Sequence, residues 1–113
     1  MAASFQVDVV SPEATVWSGE AELVTARTTE GDIGIMADHE PTMAALATGS
    51  AEIHTGSDKI TVAVHGGFLQ IYRNQVTLLS DRAEIVEGDA DAARQQAEAL
   101  RDAEEAAQED QSE

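Results

Sequence analysis

Glu30-Gly31-Asp32-Ile33-Gly34-Ile35-Met36-Ala37-Asp38-His39-Glu40-Pro41-Thr42-Met43-Ala44-Ala45-Leu46 is the stretch that decides how this chain folds. Glu30-Gly31-Asp32 has the composition of a tight reversal, and Gly31 is free to take the positive φ that a two-residue turn needs. Ile33-Gly34-Ile35 then sets two large apolar side chains about a glycine, the pattern of a short strand. A glycine inside a strand marks a bulge or a close backbone approach, and one of these is expected at Gly34. Asp38-His39-Glu40 is a polar knot, which Pro41 keeps out of a helix by holding Glu40 extended. Residues 43–46 are apolar and have the length of one helical turn before Gly49 ends it. Acidic side chains and a histidine are thus set on a loop between rigid strands, which is where binding usually resides.

Moving outward, Phe5, Val7 and Val9 alternate with Gln6, Asp8 and Val10, a period of two that predicts a strand with one buried face. Ser11-Pro12-Glu13 interrupts it, Val16-Trp17 resumes it, and Ser18-Gly19-Glu20 reads as the next break. Residues 21–28 form a further strand with Leu23 facing the core. Residues 51–55 and 59–65 predict a hairpin about Gly56-Ser57-Asp58, and residues 68–72 and 75–79 a second about Arg73-Asn74. Residues 83–86 make a last short strand. The inward set is Phe5, Val7, Val9, Trp17, Leu23, Ile33, Ile35, Ile53, Ile60, Val62, Val64, Phe68, Ile71, Val76 and Leu78. This core is aliphatic, which suits a packed sandwich better than a ligand-holding barrel. The expected fold is mainly β: an antiparallel β-sandwich of about ten short strands over residues 1–87, then one C-terminal α-helix over 88–113.

That second segment begins where the composition switches at Gly88-Asp89. Asp89 suits an N-cap, and Asp91 lies in the first turn, where a carboxylate favours the helix dipole. Ala93, Ala97, Leu100, Ala103 and Ala107 form one stripe with a single large side chain, so light docking is expected. Arg101 and Glu105 are spaced as an i,i+4 pair worth about 0.3–0.5 kcal/mol. Acidic residues crowd the C-terminal end, where the dipole favours cations, so residues 108–113 are expected to fray.

The formal net charge is −16. Residues 1–86 carry 4 basic and 12 acidic side chains, and residues 87–113 carry 2 and 10, so a quarter of the length holds half the charge. Such a surface repels nucleic acid and anionic lipid, both of which need clustered Lys and Arg. No apolar run approaches the roughly 18 residues of a membrane span, so no direct insertion is expected, and without a basic segment followed by an apolar one at the N-terminus neither secretion nor organelle import is expected. The absence of cysteine excludes disulfides and thiolate metal sites.

His39, His54 and His65 lie on separate elements without metal-ligand spacing, so no metal site is expected. Asp32, Asp38 and Glu40 with His39 satisfy the minimum for acid–base work. The sequence nevertheless has no nucleophile elbow, P-loop or dinucleotide fingerprint, and no catalytic residue is assigned. The plain reading of His39 is an imidazole that hydrogen-bonds its own loop. Gly66-Gly67 lacks the helix start of a phosphate cradle and reads as a place of close packing.

Three segments together resemble the epsilon subunit of the rotary, F-type ATP synthase. They are Gly34-Ile35 with His39-Glu40-Pro41; Val64-His65-Gly66-Gly67-Phe68-Leu69-Gln70-Ile71 with Asn74-Gln75-Val76-Thr77-Leu78-Leu79-Ser80; and the opening Phe5-Gln6-Val7-Asp8-Val9-Val10-Ser11-Pro12-Glu13. The resemblance covers essentially residues 1–89. It implies a non-catalytic central-stalk subunit at the cytoplasmic face of the bacterial cell membrane, linking the gamma subunit to the c ring. Ion translocation would thereby be coupled to ATP synthesis, and the C-terminal helix would face the alpha/beta hexamer. By position, Asp32 matches an acidic residue that meets the c-ring loops. Glu30, Gly31, Asp38 and His39 are expected on that same rim, and Met43 against gamma. The family's second helix barely begins here, so its inhibitory role is expected to be reduced. Ala92 stands where some members have the arginine of a nucleotide motif, so no nucleotide or other cofactor is expected. Two alternatives stay open: a nucleotide-sensing regulatory sandwich, and an unrelated acidic sandwich that binds a small ligand.

Overall fold

The computed structural model of the chain describes residues 3–88 and 90–111, and the side chains of these except 90 and 108–111. Asp89, the expected N-cap, lies outside the described residues. The strands are β1 (Phe5–Val10), β2 (Thr15–Ala21), β3 (Leu23–Thr28), β4 (Gly31–Ile35), β5 (Thr42–Ala45), β6 (Gly49–His54), β7 (Lys59–His65), β8 (Phe68–Tyr72), β9 (Gln75–Leu79) and β10 (Arg82–Val86). The helix α1 (Ala90–Gln111) follows. The strands form two five-stranded sheets, ordered β2-β1-β9-β8-β5 and β10-β7-β6-β3-β4. The fold is therefore the expected mainly β sandwich with one C-terminal helix.

Alternation explains most of the core. Phe5, Val7 and Val9 of β1, Ile53 of β6, Val62 and Val64 of β7, and Val76 and Leu78 of β9 are buried between the sheets. The β8–β9 hairpin turns at Arg73 and Asn74, whose φ of 49° and 60° are those of a two-residue type I′ turn. Thr28 closes the β3–β4 turn: its hydroxyl donates to the Gly31 carbonyl at 2.7 Å and accepts the Glu30 amide at 3.2 Å.

Several local expectations are corrected. The β1–β9 pair is parallel, because no short hairpin joins these two strands and fixes their direction. Residues 43–46 are not a helical turn; β5 pairs along β8 from Thr42↔Ile71 to Ala45↔Phe68. Gly19 does not break the chain, since β2 runs through it opposite Val7, and the Trp17 indole occupies the space a side chain would take there. Gly34 pairs regularly with Thr25, with nothing within 4 Å of where its Cβ would be. The register irregularity lies between Val9 and Val10 instead. Leu23 is only half-buried and Val24 takes the core position; likewise Phe68 is 55% exposed while Leu69 is fully buried. Period two forbids Phe68 and Ile71 from facing the same way, and Ile71 wins because it pairs with Val76 across the hairpin.

Gly66 and Gly67 both have positive φ, 69° and 95°, and a Cβ at Gly67 would collide with the Leu79 carbonyl. They let β8 start hard against the end of β9, the close packing expected of this pair. Ser80 follows, 3% exposed, its hydroxyl 2.7 Å from the Arg82 carbonyl and 3.2 Å from those of His65 and Gly66. It anchors the crossing from one sheet to the other.

The helix α1 packs on β7, β6 and β10. Ala93 and Ala97 are fully buried, Leu100 is half-buried, and Ala103 and Ala107 are exposed. The apolar stripe is thus real for its first half only. Two polar clips add to it: Gln96 donates to Glu84, and His65 Nε2 sits 2.9 Å from Glu104 with Thr48 Oγ1 2.7 Å from Nδ1. Docking is firmer than the stripe alone implied. Arg101 lies 3.4 Å from Asp102 rather than pairing with Glu105; the described helix runs to Gln111, and residues 112–113 of the expected frayed end lie outside the described residues. The outer face of the second sheet is therefore partly covered, and among the described residues no helix covers the outer face of the first.

Candidate functional site

The six residues singled out for partner binding do not form one rim. β4 separates them: Gly31 opens it and Ile35 closes it, about 13 Å apart at strand rise. Glu30, Gly31 and the exposed Asp32 sit at one end of the sandwich, with Asp32 opposite Arg27 on β3. Gly31 has the expected positive φ, 123°. The Thr29 amide donates to the Ala45 carbonyl at 3.0 Å, which fixes this turn beside the end of β5.

Asp38 and His39 occupy the opposite end. Asp38 has a φ of 66°, its amide donates to Asn74 Oδ1 at 2.6 Å, and Asn74 Nδ2 returns a bond to Asp38 Oδ1 at 3.1 Å. His39 Nδ1 lies 2.8 Å from the Glu40 carbonyl, so the imidazole orders its own loop. Exposed Met36 and Tyr72 lie at this end, and the Arg73 guanidinium stacks 5.2 Å from the Tyr72 ring centre.

Met43 is on neither end. It is 67% exposed on the edge strand β5 and points out of the first sheet. Strand register assembles that outer face into three rows. One row holds Glu20, Gln6, Gln75 and Tyr72; the next Ser18, Asp8, Thr77, Gln70 and Met43; the third Val10, Leu79, Phe68 and Ala45. Phe68 and Leu79 are directly paired and about half exposed each. A groove of about 660 Å³ runs beside them, lined also by Pro12 and Leu46. Phe68 and Leu79 were missed as surface residues. The signal was available in the alternation of β8, where Leu69 and Ile71 claim the core and leave Phe68 outside.

Asp8 sits in the middle row. Its Oδ1 accepts from the Ser18 hydroxyl at 2.5 Å and from Gln6 Nε2 at 3.2 Å, and its Oδ2 accepts from Gln75 Nε2 at 2.9 Å. The Ser18 bond foremost holds this carboxyl below its ordinary value; partial burial opposes that, and the two amides reinforce it.

A second groove, about 410 Å³, lies where α1 starts over the second sheet. Arg27 and Arg94 line it, but so do Asp32, Glu52 and Asp91, and Asp91 holds Arg94 at 3.2 Å. No group of three metal-ligating side chains converges among the described residues. No helix among them is long and apolar enough to cross a membrane.

The profile of the ATP synthase delta/epsilon chain β-sandwich domain matches residues 4–86. The ATP synthase epsilon chain of Streptomyces avermitilis is 44% identical over 88 residues, covering 77% of this chain and 71% of that one. That of Streptomyces coelicolor is 45% identical over 86 residues, covering 75% and 69%. Among solved structures, a chain from the Euglena gracilis mitochondrial ATP synthase, in an assembly of OSCP, F1 and c ring, superposes with a TM-score of 0.71 at 26% identity. That match covers 92% of this chain and 66% of the Euglena one. With its sandwich matched from first strand to last, this chain belongs to the ATP synthase delta/epsilon-chain family.

Proposed function

We propose that the chain is the epsilon subunit of the central stalk in a bacterial ATP synthase, peripheral to the cytoplasmic face of the cell membrane. It performs no reaction itself and transmits rotation between the c ring and the gamma subunit, coupling ion flow to ATP synthesis. Residues 1–87 serve as the rotor-binding domain, and the C-terminal segment 88–113 faces the alpha/beta hexamer. The observation that carries this reading is the outer face of the first sheet. Met43, Phe68 and Leu79 present exposed apolar surface on a face that no helix covers among the described residues, the mark of a protein-binding surface. The gamma subunit is assigned to that face.

The c ring is assigned to the other end of β4, at Glu30, Gly31 and Asp32. The family resemblance implies basic polar loops on the ring, which suit the acidic residues Glu30 and Asp32 on a chain of net charge −16. Asp38 and His39, at the far end, are assigned to the flank of the gamma contact through Met36 and Tyr72. The test is capture of the native assembly with this chain tagged. Recovery of gamma and c subunits is expected; their absence from every extract defeats the proposal. Asp32→Lys, at an exposed position near the start of β4, is expected to weaken attachment to the ring while gamma stays bound.

The rival is a nucleotide-sensing module, for which Arg27 and Arg94 in one groove speak. Three carboxylates line the same groove and oppose a polyphosphate, so calorimetry with ATP is expected to register no sub-millimolar binding.

A further inference from the structure

We infer that the partner surface docked on the first sheet delivers a lysine or arginine side chain onto Asp8. This rests on the reading of that face as the gamma-docking surface and specifies its chemistry. All three donors that hold the Asp8 carboxylate, from Ser18, Gln6 and Gln75, are neutral, so its full negative charge stands unbalanced. Among the described outward side chains of β1, β2, β5, β8 and β9 there is no Lys, Arg or His, and Glu20 on the same face adds a second negative charge. No described ion pair involves Asp8.

Position turns this into a requirement on the partner. Asp8 pairs with Thr77 and Val10 with Leu79, so Asp8 is one strand and one same-face step from Leu79, about 8 Å away. A partner that covers the Leu79–Phe68 pair also takes water from Asp8. Burying a carboxylate without a counter-charge is strongly unfavourable, while a guanidinium or ammonium over it is compensated. The three donors fix the carboxylate beforehand, so little side-chain freedom is lost on pairing. The face therefore asks for a partner that is apolar opposite Phe68 and Leu79 and cationic opposite Asp8.

The test measures binding of the full chain to its cognate gamma subunit at about 50 and about 300 mM salt, bracketing the change in screening. Asp8→Asn, nearly the same shape, is expected to weaken binding at least about thirtyfold at low salt and to flatten the salt dependence. Ser18→Ala keeps the charge and is expected to stay within about threefold. Phe68→Ser serves as the control for the face. Loss of binding by Phe68→Ser with Asp8→Asn unchanged overturns this inference and leaves the docking face standing; no effect of either overturns both. A scan of Lys and Arg→Glu on gamma leaves this chain intact. One such change must lose affinity for the native chain and regain it with Asp8→Lys, and a scan without that reciprocity overturns the inference.

Discussion

Gly67 and Gly34 make opposite demands on an added methyl group. At Gly67 the φ of 95° is unfavourable for any L side chain, and the new Cβ meets backbone that cannot move aside. Gly67→Ala is expected to cost about 3 kcal/mol in a urea titration. Gly34 has no positive φ and open space above it, so Gly34→Ala is expected to change stability by under about 1 kcal/mol, in the stabilising direction. Equal losses at the two sites would refute this account. Asp8 makes a pH prediction whose sign follows from its lowered value. The unfolded chain binds a proton there more readily than the folded one. The stabilisation is therefore complete above the ordinary value of 3.8 and disappears as pH falls through the lower folded value. Melting curves are expected to show the native chain more stable than Asp8→Asn near neutrality, with the gap closing below about pH 4.

At the scale of elements, α1 shows how little apolar area suffices when the surface beneath is flat and small-residued. Ala93 and Ala97 are fully buried against strands whose outward residues include Thr61 and Ala63, both buried. Ala97→Asp puts an unpaired charge into that contact. Amide exchange is expected to rise along α1 while the sandwich strands stay protected, because the core between the sheets does not include Ala97. Past Glu104 the described helix side chains are exposed. Deleting residues 105–113 is accordingly expected to change stability by less than about 0.5 kcal/mol, as for other exposed sites; a large fall in melting temperature would mean this end packs. The light docking expected from the stripe missed the His65–Glu104 pair, since a histidine on β7 and a glutamate 39 positions later share no local pattern.

For the molecule as a whole, the separation of the two acidic groups by β4 makes a functional prediction. On the proposed assignment only the Glu30–Asp32 end meets the ring, so Asp32→Lys is expected to lower coupling in reconstituted membranes. Asp38→Lys is expected instead to disturb its loop through Asn74. Equal coupling defects from both would contradict the assignment of ends. Alternating residues, turn glycines and the alanine-rich tail were enough to establish most of the short strands, two hairpins and the final helix, because these depend on neighbours a few positions apart; β5, which read as a helical turn, was recovered only by its pairing with β8. Whether Leu23 or Val24 entered the core was decided by pairing, since alternation supplies a period and strand partners supply its phase. Tertiary structure alone brought Phe68, Leu79, Met43 and Asp8 together on one face and carried Asp32 away from Asp38. Strand order brings together residues far apart in the chain, and it is the sum of many long-range contacts that no single stretch records.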